Sequence, residues 1–326
     1  MKMKIPTLPQ LLGRKIYKTG QTRGADDDVI FQNRVGRNST VLVPYQFWNE
    51  SFKFPDSENS FENGFIVLLA PTTYFENKDI ASTLKKKSLM LGQNCLVFYE
   101  TRQDWEKYNP EKMAWKPAQN RSSPLGGNYV ARVPATTALN DGDKIIRGFT
   151  TTKGKGAGIR LYEYASSATI QRCRLQLEGI YWLCCDSIEV TTANGMSKKD
   201  AELRKDYILK NCQDAGLLDY NRLKTARMID RKNQTTCPLC LETLSGSGFF
   251  NRMAQAEGRE VPDLTVTEIN LFHIEELRYG VYNHKPYNLS WGHHHCNVVT
   301  KDSGIVETLR WMTLVLKRNE NSGFKI

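Results

Sequence analysis

The chain has 326 residues, 40% of them hydrophobic, and a formal net charge of +10. That length suits two domains and the apolar fraction supports real cores, but no apolar run approaches the ~20 residues of a membrane span. Eight cysteines in a chain this long argue against a disulfide scaffold. The basic balance points to a polyanionic partner, with nucleic acid ahead of a membrane surface.

At the N-terminus, Met1-Lys2-Met3-Lys4 leads into no apolar signal core, so the chain reads as cytoplasmic. Lys15 to Arg37 is basic and Gly-rich around Asp26-Asp27-Asp28. Four short runs read as strands: Phe65 to Leu69, Cys95 to Tyr99, Tyr129 to Val133 and Arg172 to Leu177. Gly, Pro, Asn and Asp clusters separate them. Ile80 to Lys87 is a helix candidate. Lys153-Gly154-Lys155-Gly156-Ala157-Gly158 is only loosely like a phosphate loop, because the Gly-Lys-Ser/Thr ending is missing. Lys153 and Lys155 are instead candidates for contact with a DNA backbone. Residues 1–195 are therefore expected to form a β-rich domain with a barrel-like or mixed sheet.

The texture changes at Ser197, where Asp200 and Glu202 suit the start of a helix dipole and Leu203, Tyr207, Ile208 and Leu209 recur at helical spacing. A second helix is expected from Tyr220 to Arg231, carrying Arg222, Lys224 and Arg227. Residues 196–234 thus read as a helical, basic linker. A third region, 235–326, ends in a helix marked by Ile305, Leu309, Met312 and Leu316, with Asp302 or Ser303 as its cap. The tail from Asn319 reads as loose.

Chemistry concentrates in this third region. All five histidines lie between His273 and His295, bracketed by Cys237, Cys240 and Cys296. Cys237-Pro238-Leu239-Cys240 is one two-residue-spaced knuckle, and His293-x-x-Cys296 is a second. Together they make a four-ligand zinc site, with His294 and His295 as alternatives to His293. Cys95, Cys173, Cys184, Cys185 and Cys212 lack ligand spacing and read as buried apolar residues. His273 ends an apolar run, and Asn288 and Asn297 follow it in order. His284 lies in the Asn283-His284-Lys285-Pro286 turn and reads as a loop or DNA contact, while Trp291 and Trp311 read as core.

In these residues the chain resembles the HNH, or ββα-metal, nucleases. The resemblance rests on Cys237-Pro-Leu-Cys240, His273-Ile274, Asn288-Leu289 and His293-x-x-Cys296-Asn297, and spans about a quarter of the chain. It implies an α+β protein with a β-rich DNA-recognition domain and a small ββα-metal domain in which zinc is structural. It implies catalysis with Mg²⁺, with Mn²⁺ as its substitute. His273 would be the general base, Asn288 would orient the imidazole or the loop, and Asn297 would hold the metal. The family's acidic or imidazole ligand before the base is replaced here by Phe272, which cannot ligate. Glu268 is the first stand-in for it, with Glu275 and Glu276 also near. Arg278, Lys285 and Lys301 would meet phosphates.

This reading describes a restriction endonuclease of a bacterial or archaeal cytoplasm, sequence-specific or modification-dependent, acting on double-stranded DNA as a homodimer. Two rivals stand beside it. One is a non-catalytic, zinc-stabilised DNA-binding protein; the other is a structure-specific or homing nuclease.

Overall fold

The computed structural model describes residues 5–22, 30–32, 35–49, 51–55, 60–136, 143–149, 156–252, 266–301 and 303–323. The chain forms two compact units, Met1–Thr19 with Ser167–Ile326, and Gly20–Ser166. The division therefore falls at 19/20 and 166/167 rather than near 195, and the first helix, α1 (Gln10–Lys18), belongs to the unit that carries the cysteine motif.

The Gly20–Ser166 unit holds a small ribbon, β1 (Gln21–Thr22) with β2 (Val35–Gly36). It then forms β3 (Val41–Pro44), β4 (Phe65–Leu69), α2 (Pro71–Phe75), α3 (Ile80–Lys86), β5 (Cys95–Tyr99), α4 (Arg102–Lys107), β6 (Tyr129–Val133), β7 (Ile145–Arg147) and β8 (Ile159–Arg160). Among the described residues β3 to β8 make one mixed six-stranded sheet in the order β7-β6-β5-β4-β3-β8. All its pairings are parallel except the antiparallel pair β6–β7. Parallel neighbours need crossovers; α2 and α3 lie in the one between β4 and β5, and α4 in the one between β5 and β6. Strands covered on both faces read as continuous apolar runs, which is why β4, β5 and β6 fall where the sequence predicts them. Inside β6, Arg132 is buried and donates to the carbonyls of Ala131, Arg147 and Gly148, tying β7 to the sheet edge.

The other unit continues with α5 (Ser167–Trp182), α6 (Ser187–Ala193), α7 (Lys198–Asp214), α8 (Tyr220–Thr225), β9 (Ile269–His273), β10 (Leu289–His293), α9 (His294–Thr300) and α10 (Ile305–Asn321). The predicted strand at Arg172 to Leu177 is instead the middle of α5. Cys173, Leu175 and Leu177 alternate like a strand. Ile170, Cys173, Leu177 and Ile180, however, recur at helical spacing and are among the buried positions, and from Gln176 to Trp182 the helix is buried on every side.

The expected linker is built into the core. Ala201, Ile208 and Cys212 of α7 and Leu223 of α8 join Leu177, Trp182 and Trp291 in one apolar cluster. Ser197 caps α7 as its sequence predicts, accepting from the Asp200 amide at 3.1 Å. The second helix is shorter than expected, because Arg227 takes a left-handed φ of 61°. For α10 the N-cap is Gly304 rather than Ser303, and Asp302 lies outside the described residues. No helix among the described residues is long and apolar enough to cross a membrane.

A close approach between α5 and α7 depends on Gly179, where an added Cβ would lie 2.7 Å from Cys212 Sγ. Overpacking a filled core costs about 1–3 kcal/mol, more than the roughly 1 kcal/mol of helix propensity that alanine adds. Gly179→Ala is therefore expected to lower the urea midpoint of unfolding. A rise would show that helix propensity outweighs packing there.

Candidate active site and metal centre

β9 and β10 pair antiparallel, with His273 opposite Leu289, Phe272 opposite Ser290 and His293 opposite Ile269. The hairpin is held from both sides. Trp291 is buried and donates from Nε1 to the Leu177 carbonyl of α5 at 2.7 Å. Phe272 is buried, and Gly292 leaves room for its ring, since a Cβ there would sit 2.7 Å from Phe272 Cδ2. The chain then turns directly into α9 and crosses the hairpin. The His294 amide donates to the Glu268 carbonyl at one end (2.7 Å), and the Ile305 amide donates to the Ile274 carbonyl at the other (2.9 Å). Two strands and a returning helix thus frame two ends with different chemistry.

At the first end lie the thiols. The ligand atoms of Cys237, Cys240, His293 and Cys296 all fall within 4.8 Å of one another, and Cys240 Sγ is 3.4 Å from His293 Nδ1. A tetrahedral zinc, with Zn–S near 2.3 Å and Zn–N near 2.0–2.1 Å, separates its ligand atoms by roughly 3.5–3.8 Å, so the group fits zinc. The structure selects His293 over His294 and His295. His294 Nδ1 instead lies 3.2 Å from Asn270 Nδ2, and His295 is exposed. The knuckle is shaped by backbone bonds, with the Cys237 amide donating to Glu242 and the Leu241 amide to Cys237, and Leu241 left-handed at φ 64°. Arg227 braces it, donating to the carbonyls of Pro238 (2.6 Å) and Leu239 (3.1 Å). Burial, then the crowding of Cys237 and Cys240, pushes the Cys296 thiol well above the ordinary range. Burial likewise raises Cys240. A bound dication reverses that crowding by favouring the thiolates.

At the opposite end lies His273, half-buried, with its Nε2 3.2 Å from His284 Nδ1. His284 is only 1% exposed, which corrects its reading as a surface contact: it packs beside His273. No sequence signal marked this partnership, since the two rings meet only through the fold of the 274–288 loop. Asn288 is buried and organises that loop. Its Oδ1 accepts from the Glu275 amide at 2.7 Å, and its Nδ2 donates to the Asn283 carbonyl at 2.7 Å. Asn297 is the fourth residue of α9, half-buried, next in the chain to Cys296.

A cleft of about 700 Å³ opens at the His273 end, lined by Asn283, Asn288, Glu275, Glu276, Arg278 and Lys285 among others. Glu268 is not part of it. It precedes β9, five residues from His273, and a strand rises about 3.3 Å per residue, so the two stand roughly 16 Å apart. Its carboxylate accepts from Asn251 Nδ2 at 3.3 Å. Arg278 is exposed and pairs with Glu276 at 3.4 Å. Lys285 and Lys301 are exposed. Lys153 and Lys155 lie outside the described residues.

The picture is a mixed α+β protein with a Cys₃His group at one end of a hairpin and a polar, charge-lined cleft at the other. Residues 14–294, most of the chain, match the family model described as BstXI restriction endonuclease, and the chain belongs to that family. It is therefore a restriction enzyme, a hydrolase that cleaves DNA. No curated protein and no solved structure matches the chain.

If the four-residue group holds zinc, Cys296→Ser removes a ligand from a centre whose binding is coupled to folding. A loss of even about 3 kcal/mol shifts the melting temperature of a unit this size by roughly 6–12 °C. Metal analysis of the purified protein is expected to find zinc in the parent and none in the variant, together with that fall. An unchanged melting temperature after zinc removal would show that the centre contributes nothing to stability.

Proposed function

We propose that the chain cuts DNA by HNH-type chemistry, with His273 as general base. The carrying observation is the partnership of His273 with His284 beside a loop held by Asn288, whose neighbouring residues line a cleft that offers both carboxylates and cations. With its proton on Nε2, His273 donates to His284 Nδ1, and its own Nδ1 lone pair takes the proton from the attacking water. The hydrogen bond fixes the ring's tautomer and angle, as orienting partners of catalytic imidazoles do. Asn288 sets the loop on which His284 and the acidic residues stand.

The donor set at this end suits a hard cation. Glu275 and Glu276 bring carboxylates, and Asn283 Oδ1 is a buried acceptor with no hydrogen-bond partner among the described residues. Phe272 cannot contribute and Glu268 is too distant, so Glu275 and Glu276, with Asn297 by family resemblance, are the residues that would hold Mg²⁺ or Mn²⁺. The cation, when bound, offsets the charge that builds on the phosphorus and on the leaving 3′ oxygen. The zinc group keeps a structural role.

Sequence reading, or reading of a modified base, is assigned to the Gly20–Ser166 unit. The homodimer needed to cut both strands is assigned to α10. Val306, Leu309 and Leu316 lie exposed along one side of that helix at a spacing of three and seven residues, with Trp311 and Leu314 also exposed. Trp311 is thus a surface residue rather than core. A second copy of this chain is the occupant that this apolar row suits. A rival reading, DNA binding without catalysis, draws on the buried Phe272.

Incubation of the purified protein with plasmid DNA separates the readings. Discrete fragments that require Mg²⁺ or Mn²⁺ are expected, and binding without cleavage under any divalent metal would favour the rival. His273→Ala should lower the cleavage rate by about 10²–10⁴-fold, the usual contribution of a positioned base, with zinc content unchanged. Normal cleavage by that variant would remove the base assignment. For the dimer, Leu309→Glu is expected to yield a monomer in sedimentation equilibrium that nicks DNA instead of cutting both strands. A variant that stays dimeric would clear α10 of the role.

A further inference from the structure

Tyr287, the residue before Asn288, stands in a left-handed conformation with φ 64°, a state that costs a non-glycine residue of order 1 kcal/mol or more. Its surroundings hold it there at three points. Its amide donates to Gln176 Oε1 at 2.7 Å, and Gln176 is itself buried in α5 and donates to the Leu217 carbonyl. Its hydroxyl donates to the Gly216 carbonyl at 2.7 Å and accepts from the Asp219 amide at 3.2 Å. Asp219 is the cap of α8, accepting from the amides of Asn221 and Arg222. The upper face of the ring carries the Arg222 guanidinium, 3.9 Å from the ring centroid.

An arginine stacked this way loses much of its rotamer freedom before any ligand arrives, while stacking leaves its N–H donors free for a partner in the ring plane. Arg222 is exposed, no carboxylate pairs with it among the described residues, and it lines the same cleft as Glu275 and Asn288. Apart from the stacking on Tyr287, no described residue engages its charge, and that stacking ties it to the loop that carries the site.

We propose that Arg222, positioned by Tyr287, is a phosphate-binding site for the backbone of the DNA strand that enters the cleft. The inference rests on the nuclease reading above and adds to it a named contact that lies on α8, outside the motif region. The planar guanidinium would take two oxygens of one phosphate, setting the register of the strand against the Asn288 loop without reading its sequence.

The test is equilibrium binding of the full chain to a short fluorescent duplex of arbitrary sequence, with Ca²⁺ present and Mg²⁺ absent, over a series of salt concentrations. Arg222→Ala is expected to weaken binding about tenfold and to reduce the slope of log K against log salt by about 0.9, the signature of one lost phosphate contact. Arg222→Lys should keep the slope but recover only part of the affinity, because a lysine lacks the planar fork. Arg222→Gln, closer in size, is expected to behave like the alanine variant and carries the test if that variant loses its zinc. Wild-type affinity and slope in Arg222→Ala or Arg222→Gln, in a protein that otherwise binds and cuts, would overturn the contact alone. A wild-type chain that bound no duplex would overturn the nuclease reading with it.

Discussion

Three separate stretches of chain meet at the Cys₃His group: the 237–240 knuckle, the last residue of β10 and the first turn of α9. A two-stranded hairpin is marginal by itself in water, so β9 and β10 need outside support. A metal held by the four residues would supply it at one end, and Trp291, locked to the Leu177 carbonyl, supplies it in the middle. The register follows from both. The ladder that sets His293 opposite Ile269 also sets His273 opposite Leu289. A slip of one residue would turn Phe272 toward the opposite face and withdraw His293 from the thiols. A metal bound at the far end, where His293 faces Ile269 four residues before His273, would therefore decide where the imidazole stands, roughly 13 Å away along the strand.

Between the strands runs an irregular loop whose backbone groups need partners that a sheet would otherwise provide. Asparagines provide them. Asn288 serves Glu275 and Asn283, and Asn283 Nδ2 donates to the Glu276 carbonyl at 2.5 Å. The strain at Tyr287 is carried by hydrogen bonds to α5 and to the start of α8, so the loop is anchored in the main core rather than in the hairpin alone. This arrangement keeps His284 buried beside His273.

The parts of this arrangement that the sequence disclosed are those written in local chemistry. Short apolar runs bounded by turn formers gave β4, β5 and β6 at their observed limits, and the Ser197–Asp200 cap gave the start of α7. Knuckle spacing identified the four residues that the fold gathers. What stayed hidden depends on distant partners. Arg172 to Leu177 alternates like a strand, and only its burial against α7 and β10 shows the helical period. The unit boundaries carry no compositional mark, because the chain leaves one unit after α1 and returns at α5. Leu309 and Leu316 fit an inward pattern, yet the packed side of α10 is formed by Ile305, Thr308 and Met312. The pairing of His284 with His273 needs a loop geometry that spacing does not encode.

The replacement of an expected ligand by Phe272 shapes the chemistry that the cleft can perform. A buried phenyl ring against Gly292 adds packing where a carboxylate would have had to be desolvated, so it firms the hairpin and removes a donor from that face. For a cation bound in this cleft, oxygen donors would come from the loop side, where Glu275 and Glu276 stand beside Arg278 and Lys285. A wholly basic cleft would attract a phosphate but repel a dication, and a wholly acidic one would do the opposite. Mixed charge admits both. The exposed pair of Arg278 with Glu276, at 3.4 Å, is of the kind worth little in water. It is therefore cheap to exchange: the carboxylate toward a cation, the guanidinium toward a phosphate, each gaining a partner of higher charge than the one it gives up.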